Sequence, residues 1–121
     1  MPLCREIQYL HEPTPLQCGQ AVLAMLGGCA VEDVVKLVGT DRETTLPQMF
    51  AGMDALGIHC CRERIAVQTK AQLPAVALLS LETPRCWHWS LYCDGVFYDP
   101  EHGVMDDFPL SKRRYYWKID P

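Results

Sequence analysis

The segment WHWSLYCDGVFYDP at positions 87–100 decides the fold of this 121-residue chain. Apolar and polar side chains alternate on both sides of Asp94-Gly95, a dipeptide typical of two-residue β-hairpin turns. The segment therefore predicts two antiparallel strands, at positions 87–93 and 96–99. The proline that follows the second strand favours an end to strand pairing at that point.

The register of this hairpin brings a histidine and an aspartate onto one face. With a two-residue turn, Asp99 opposes Ser90, and side chains two residues apart on a strand share a face. His88 then becomes a diagonal neighbour of Asp99, close enough for a hydrogen bond. The aspartate would accept from one imidazole nitrogen and leave the other to take a proton. Because Trp89 and Leu91 point toward the core, we expect the His88 face to line a cleft.

The remaining segments predict helices first and strands later. Helical spacing of apolar residues and capping signals predict three helices, at positions 18–26, 31–38 and 46–56. Apolar runs predict further strands, at positions 58–65, 75–81 and 115–119. This order is typical of an α+β fold with N-terminal helices packed on a C-terminal antiparallel sheet. The length favours a single domain over positions 1–121.

Cys18 begins the first predicted helix, directly after a proline-bearing loop. A cysteine at a helix N-terminus lies at the positive end of the helix dipole, beside backbone N–H groups that lack intrahelical partners. Both features favour the thiolate, which is the nucleophilic form of cysteine. We interpret Gly19, the next residue, as room for the backbone of a substrate. A cysteine followed by His88 and Asp99 is the order of a papain-type thiol hydrolase.

Composition excludes several other classes of function. A net charge of −4 and a pI near 5.5 argue against a nucleic-acid-binding surface. No run reaches the roughly 18 apolar residues that a membrane span needs. The N-terminus also lacks the pattern of a signal peptide. We therefore expect a cytoplasmic protein whose seven cysteines are free thiols. Export by a signal-independent route would leave no mark on the sequence.

The sequence predicts no metal centre and no cofactor. Histidine and cysteine residues do cluster at His59, Cys60 and Cys61, but adjacent strand residues point to opposite faces. Their spacing also matches no common zinc module. We interpret the two remaining histidines, His11 and His102, as surface residues.

At these residues the chain resembles the papain-like cysteine peptidases that process double-glycine leader peptides in bacteria. These enzymes are best known as the N-terminal domain of bacteriocin ABC exporters, and stand-alone relatives exist. The family pattern is a glutamine, five residues, Cys-Gly, helices, a proline-led strand, then a histidine and an Asp-Pro. The matching segments are CGQAVLAML (18–26), TTLPQMFAGMDALGI (44–58), LPAVALLSL (73–81), HWSLYCDG (88–95) and YDPEHG (98–103).

The resemblance implies a papain-like fold and a role for each matching residue. Cys18 would be the nucleophile, His88 the general base and acid, and Asp99 the residue that orients the imidazole. The backbone N–H of Cys18 would form part of the oxyanion hole. The family's glutamine falls at Glu12 in this chain. An amide donates to an oxyanion whereas an ionised carboxylate repels it, so Gln17 is a second candidate for that donor.

These features favour a thiol hydrolase that acts on a peptide or amide bond of a peptide or protein substrate. Two alternatives remain open. The same triad would serve a glutamine deamidase or an acyl-transfer effector or toxin. The chain would otherwise be a degenerate papain-like module that binds peptides without cleaving them, for which Glu12 is the main argument. The sequence does not determine the oligomeric state.

Overall fold

The computed structural model describes residues 7–120, in which three α-helices precede seven β-strands. The helices are α1 (Cys18–Gly27), α2 (Val31–Val38) and α3 (Leu46–Ala55). The strands are β1 (His59–Cys60), β2 (Ile65–Ala66), β3 (Val76–Glu82), β4 (Trp87–Cys93), β5 (Val96–Asp99), β6 (Gly103–Met105) and β7 (Arg114–Asp120). All pairings are antiparallel, in the order β1-β7-β3-β4-β5-β6, and β2 also pairs with β7. The predicted α+β class is confirmed.

The predicted helices form close to their predicted positions. In α1, every residue from position 18 to position 26 is buried, as expected for a helix without a polar face. The capping box of α3 is present: the backbone N–H of Gln48 donates to the Thr45 hydroxyl at 3.3 Å, and that of Thr45 donates to the Gln48 side chain at 2.9 Å. These contacts fix the start of α3.

The sheet is covered on both faces by apolar side chains. The three helices pack on one face, where their buried residues join Leu78, Leu91 and Trp117 in the larger core. The other face carries a smaller core that includes Phe97 and Phe108. The central strands are therefore buried on both sides, which explains the continuous apolar run of β3.

The β4–β5 hairpin has the predicted register. Cys93 pairs with Val96 across the two-residue turn. Asp94 and Gly95 adopt φ angles of 45° and 87°, as a type I′ turn requires at both central positions. His88 and Asp99 consequently share a face of the sheet.

The predicted strand at positions 58–65 is wrong as a continuous element. Only β1 and β2 form there, two residues each, and both pair with β7. Between them, Arg62 donates to Asp54 at 2.7 Å and stacks over the ring of Phe50 at 4.3 Å. These contacts with α3 lie at the break between the two short strands. Strand β6 was not predicted from the sequence. It is three residues long and extends the sheet beyond β5.

Candidate active site

The sulfur of Cys18 lies where α1 meets β4. Cys18 is the first residue of α1, and the backbone N–H of Trp89 donates to its Sγ at 3.5 Å. The side chain of the preceding residue, Gln17, does not cap the helix. It therefore leaves the N–H groups of the first turn available as donors. An imidazole nitrogen of His88 lies within 4.8 Å of the Cys18 sulfur. The structure thus brings the two residues predicted as nucleophile and base together.

His88 is held between this sulfur and a buried carboxylate. Its Nε2 lies 2.9 Å from Oδ1 of Asp99, which leaves Nδ1 for Cys18. The hydroxyl of Ser90 donates to the other oxygen of Asp99 at 2.9 Å, as the hairpin register predicts. Both His88 and Asp99 are almost completely buried. The three predicted residues are therefore arranged in the order sulfur, imidazole and carboxylate.

The environment shifts both partners of this pair toward their charged forms. Burial lowers the pKa of His88, but hydrogen bonds to Asp99 and Cys18 outweigh it and raise the pKa to about 10. Burial raises the pKa of Asp99, but the hydrogen bond to His88 and its charge outweigh it and lower the pKa to about 2. At neutral pH the site accordingly contains an imidazolium beside an aspartate.

A turn after β5 provides further donors to Asp99. Its Oδ1 accepts from the backbone N–H groups of Glu101 and His102, and Nδ1 of His102 also lies 3.0 Å from it. The hydroxyl of Tyr9 donates to the backbone carbonyl of Asp99 at 2.6 Å. His102 is exposed, as predicted, but its ring also contacts Asp99. An aspartate at the start of a turn often accepts from the next N–H groups, and this was the available signal.

Glu12 lies beside Cys18 and His88. Its backbone N–H donates to the carbonyl of Pro100 at 2.9 Å, which ties the segment before α1 to the turn after β5. A carboxylate oxygen, the Cys18 sulfur and a His88 nitrogen all lie within 4.8 Å of one another. The Glu12 side chain is 5% exposed, and its Oε1 has no hydrogen-bond partner in the described part of the chain.

Burial raises the pKa of the Glu12 carboxyl; the charge of His88 lowers it, and the charges of Glu101 and Asp99 raise it further. Gln17, the second candidate for the oxyanion position, is instead the N-cap residue of α1, with its side chain buried. Of the two candidates, Glu12 has the contacts expected of that position.

The site opens into a cleft of about 390 Å³. Its lining includes Cys18 and His88, together with Pro15, Leu16, Glu43, Thr44, Ser80, Cys86, Trp87 and Trp89. The prediction that the whole His88 face lines a cleft is wrong. Farther along that face, Tyr92 and Phe97 are covered by the smaller core. Access to the imidazole is therefore from the Cys18 side.

Gly19 serves packing rather than substrate approach. A Cβ atom at this position would lie 2.9 Å from atoms of Met49, Thr44 and Trp89. The indole N–H of Trp89 also donates to the carbonyl of Thr44 at 2.8 Å. The glycine lets α1 approach α3 and β4 closely, and this approach brings Cys18 near His88. Packing therefore explains Gly19, rather than the space for a substrate backbone that the sequence suggested.

The prediction that all seven cysteines are free thiols is wrong. Within residues 7–120, cysteines 18, 29, 60, 61 and 86 are free, whereas Cys93 is disulfide-bonded. In the cluster of His59, Cys60 and Cys61, the imidazole of His59 bonds to the carboxylate of Asp120 at 2.8 Å. Cys60 is buried, and burial raises its pKa to about 11.

Among residues 7–120, no helix is long and apolar enough to cross a membrane. Comparison with known proteins adds no assignment: no protein-family model matches the chain, and no curated protein is significantly similar to it.

Proposed function

We propose that this protein is a papain-like thiol hydrolase that cleaves a peptide or amide bond through Cys18, His88 and Asp99. The observation that carries the proposal is the chain of polar contacts from the Cys18 sulfur through the imidazole to a buried carboxylate. Its sulfur end borders a cleft. The helix that carries the cysteine packs against the antiparallel sheet that carries the other two residues, an arrangement that supports a papain-like fold.

The charge state of His88 supports attack by a thiolate. With its pKa raised to about 10, His88 is an imidazolium at neutral pH. Its Nε2 is held by Asp99, so the proton on Nδ1 faces the Cys18 sulfur. An imidazolium beside a sulfur at a helix N-terminus stabilises the thiolate. It is also the acid that a departing amine requires.

The reaction that follows has two halves. The thiolate of Cys18 attacks the substrate carbonyl carbon, and the carbonyl electrons move onto oxygen. When that oxyanion collapses, the C–N bond breaks and the leaving nitrogen takes the proton from His88 Nδ1. Neutral His88 then removes a proton from water, which attacks the thioester. The acid is released, and the sulfur leaves as a thiolate beside the restored imidazolium. Asp99 keeps the ring oriented throughout.

Two groups border the position of the oxyanion. The backbone N–H of Cys18 lies in the first turn of α1, where helix geometry provides no intrahelical acceptor. The Glu12 carboxyl, with one oxygen unpartnered, lies beside the same sulfur. Protonated Glu12 would donate to the oxyanion, and ionised Glu12 would repel it. We therefore expect Glu12 to lower activity at neutral pH without abolishing it.

Alkylation with iodoacetamide and peptide mapping tests whether Cys18 is an activated nucleophile. Cys86 is the matched comparison because it lines the same cleft and is exposed, whereas Cys18 is buried. We expect Cys18 to react first at neutral pH, and His88→Ala to slow it by at least tenfold. Faster labelling of Cys86, or an unchanged Cys18 rate in His88→Ala, would refute the proposal.

The product of the reaction separates hydrolase from deamidase chemistry. A peptidase shortens a peptide or protein substrate, whereas a deamidase releases ammonia from glutamine and leaves the chain intact. Mass spectrometry of candidate substrates distinguishes these products. A peptide-binding module without activity would bind substrate and yield neither product.

We also propose that the protein works in the cytoplasm. A nucleophilic cysteine must remain reduced, which a reducing compartment ensures for the free thiol of Cys18, whereas the disulfide at Cys93 is the feature that favours an oxidising one.

A further inference from the structure

Three metal-ligating atoms of different chemistry converge beside the cleft, and two of them belong to residues that line it, Cys18 and His88. The Cys18 sulfur, a His88 nitrogen and a Glu12 carboxylate oxygen lie within 4.8 Å of one another. Tetrahedral zinc, with bonds of about 2.0–2.3 Å, places its ligand atoms about 3.3–3.8 Å apart. Side-chain movements on the order of 1 Å would therefore bring these atoms to the coordination distances of zinc.

An unpartnered buried oxygen distinguishes this cluster. Glu12 is buried, with 5% of its surface exposed, yet its Oε1 accepts no hydrogen bond from residues 7–120. A buried polar atom without a partner is costly, and a bound cation would supply one. The contact with Pro100 fixes the backbone of Glu12 near the sulfur.

A second cluster, formed by His88, Asp99 and His102, lies nearby but is less suited to a cation. Oδ1 of Asp99 already accepts from His88, from His102 and from two backbone N–H groups. A cation there would have to displace these bonds. In the Glu12 cluster the same contacts help, because a histidine ligand is oriented when a carboxylate binds its other nitrogen. Asp99 holds His88 in this way, with Nδ1 toward Cys18.

We propose that Cys18, His88 and Glu12 bind one Zn²⁺ ion, which blocks the nucleophile. Sulfur, nitrogen and oxygen donors suit this borderline-soft ion, and the cleft leaves its fourth position for water. Binding occupies the thiolate sulfur and displaces the proton of His88 Nδ1, so neither residue is available for attack or proton transfer. The inhibition rests on the proposed function; the binding does not.

Cobalt titration tests the site directly. Co²⁺ substitutes for Zn²⁺, and its bond to a thiolate gives a charge-transfer absorption in the near ultraviolet. We expect this band at one Co²⁺ per chain, its displacement by Zn²⁺, and its absence in Cys18→Ser. Cobalt binding without the band, or no binding, would overturn the site.

The carboxylate is tested by zinc affinity, measured by competition with a chromophoric chelator. Glu12→Gln should weaken zinc binding at least tenfold, because it replaces a charged ligand with a neutral one. Glu63→Gln, the same change in charge at an exposed position outside the three-ligand set, should stay within twofold of wild type. Equal affinity of Glu12→Gln and wild type, with folding checked by circular dichroism, would remove Glu12 from the site. If Glu12→Gln does not fold, Glu12→Ala replaces it, and wild-type affinity in that variant has the same meaning.

Activity measurements separate this proposal from the proposed function. Hydrolysis is measured first in EDTA and then with added Zn²⁺. Activity in EDTA without metal binding refutes the zinc site alone. Metal binding by a protein that is inactive in EDTA, and whose Cys18 is unreactive, refutes the hydrolase and retains the site.

Discussion

Replacing Glu12 with glutamine should increase hydrolysis at neutral pH. The carboxyl is buried beside the Cys18 sulfur, with Oε1 unpartnered, and glutamine preserves its shape. The amide can donate to an oxyanion at any pH, whereas the carboxyl donates only when it is protonated. The substitution therefore changes one donor and one charge at the place where negative charge develops in the transition state.

The size of the increase depends on the protonation of Glu12. One oxyanion donor contributes roughly 3–4 kcal/mol, or about two to three decades in rate. Burial raises the pKa of Glu12, so a larger fraction of it is protonated at neutral pH than of an exposed glutamate. That protonated fraction already donates to the oxyanion in the wild-type protein. We expect an increase in kcat/KM of about 10- to 1,000-fold above pH 7. The two proteins should converge at acidic pH, where wild-type Glu12 is protonated and donates as the amide does.

Hydrolysis of an activated ester, followed in EDTA, gives kcat/KM without a known natural substrate. Iodoacetamide alkylation of Cys18 is measured in parallel, because that reaction reports the thiolate but develops no oxyanion. The gain in hydrolysis should exceed the gain in alkylation. Glu63→Gln, an exposed site with the same change in charge, should alter neither rate by more than twofold. Lower hydrolysis in Glu12→Gln, or equal gains in both reactions, would refute the oxyanion role.

Two other substitutions test the structure around the site. Asp99→Asn should lower the free energy of unfolding by about 3–5 kcal/mol, because it leaves charged His88 without its buried partner. The Asp99 contribution is present above its ordinary pKa of 3.8 and is lost as the pH falls through about 2. The His88 contribution is complete below its ordinary pKa of 6.5 and is lost as the pH rises through about 10. Urea unfolding should thus show the largest difference from wild type between pH 3.8 and 6.5, and a difference independent of pH would contradict the ion pair. Gly19→Ala should destabilise the fold by about 1–3 kcal/mol through overpacking against Met49, Thr44 and Trp89, whereas Gly28→Ala, with no atom near its added Cβ, would test backbone strain alone. An unchanged melting temperature in Gly19→Ala would show that α1 can shift.

The parts of the fold set by local chemistry could be predicted from the sequence. A two-residue Asp94-Gly95 turn allows one register, and that register alone places Asp99 opposite Ser90. The Thr45/Gln48 capping box likewise fixes the start of α3 by contacts three residues apart. Because these signals act over short distances, the pairing of His88 with Asp99 followed from them.

Features that depend on distant contacts could not be predicted in this way. The break between β1 and β2 coincides with a contact between Arg62 and Asp54 in α3, which no local pattern indicates. The role of Gly19 depends on three side chains that meet only after folding. The place of His102 depends on a turn whose N–H groups and imidazole converge on one carboxylate oxygen of Asp99. Each of these needs tertiary packing to be known first.

Charge balance connects the proposals for this site. His88 is a cation that lies buried among Cys18, Glu12 and Asp99. Asp99 already balances that charge, so a thiolate at Cys18 and a carboxylate at Glu12 would add two negative charges in a region with little water. Burial raises the pKa of Glu12, which favours its neutral form at this place. Zinc would offset both negative charges, because its two positive charges allow the sulfur and the carboxylate to bind it as anions. The same carboxylate thus weakens an oxyanion when it is ionised and strengthens a metal site, which is why Glu12→Gln should raise hydrolysis and lower zinc affinity in one protein.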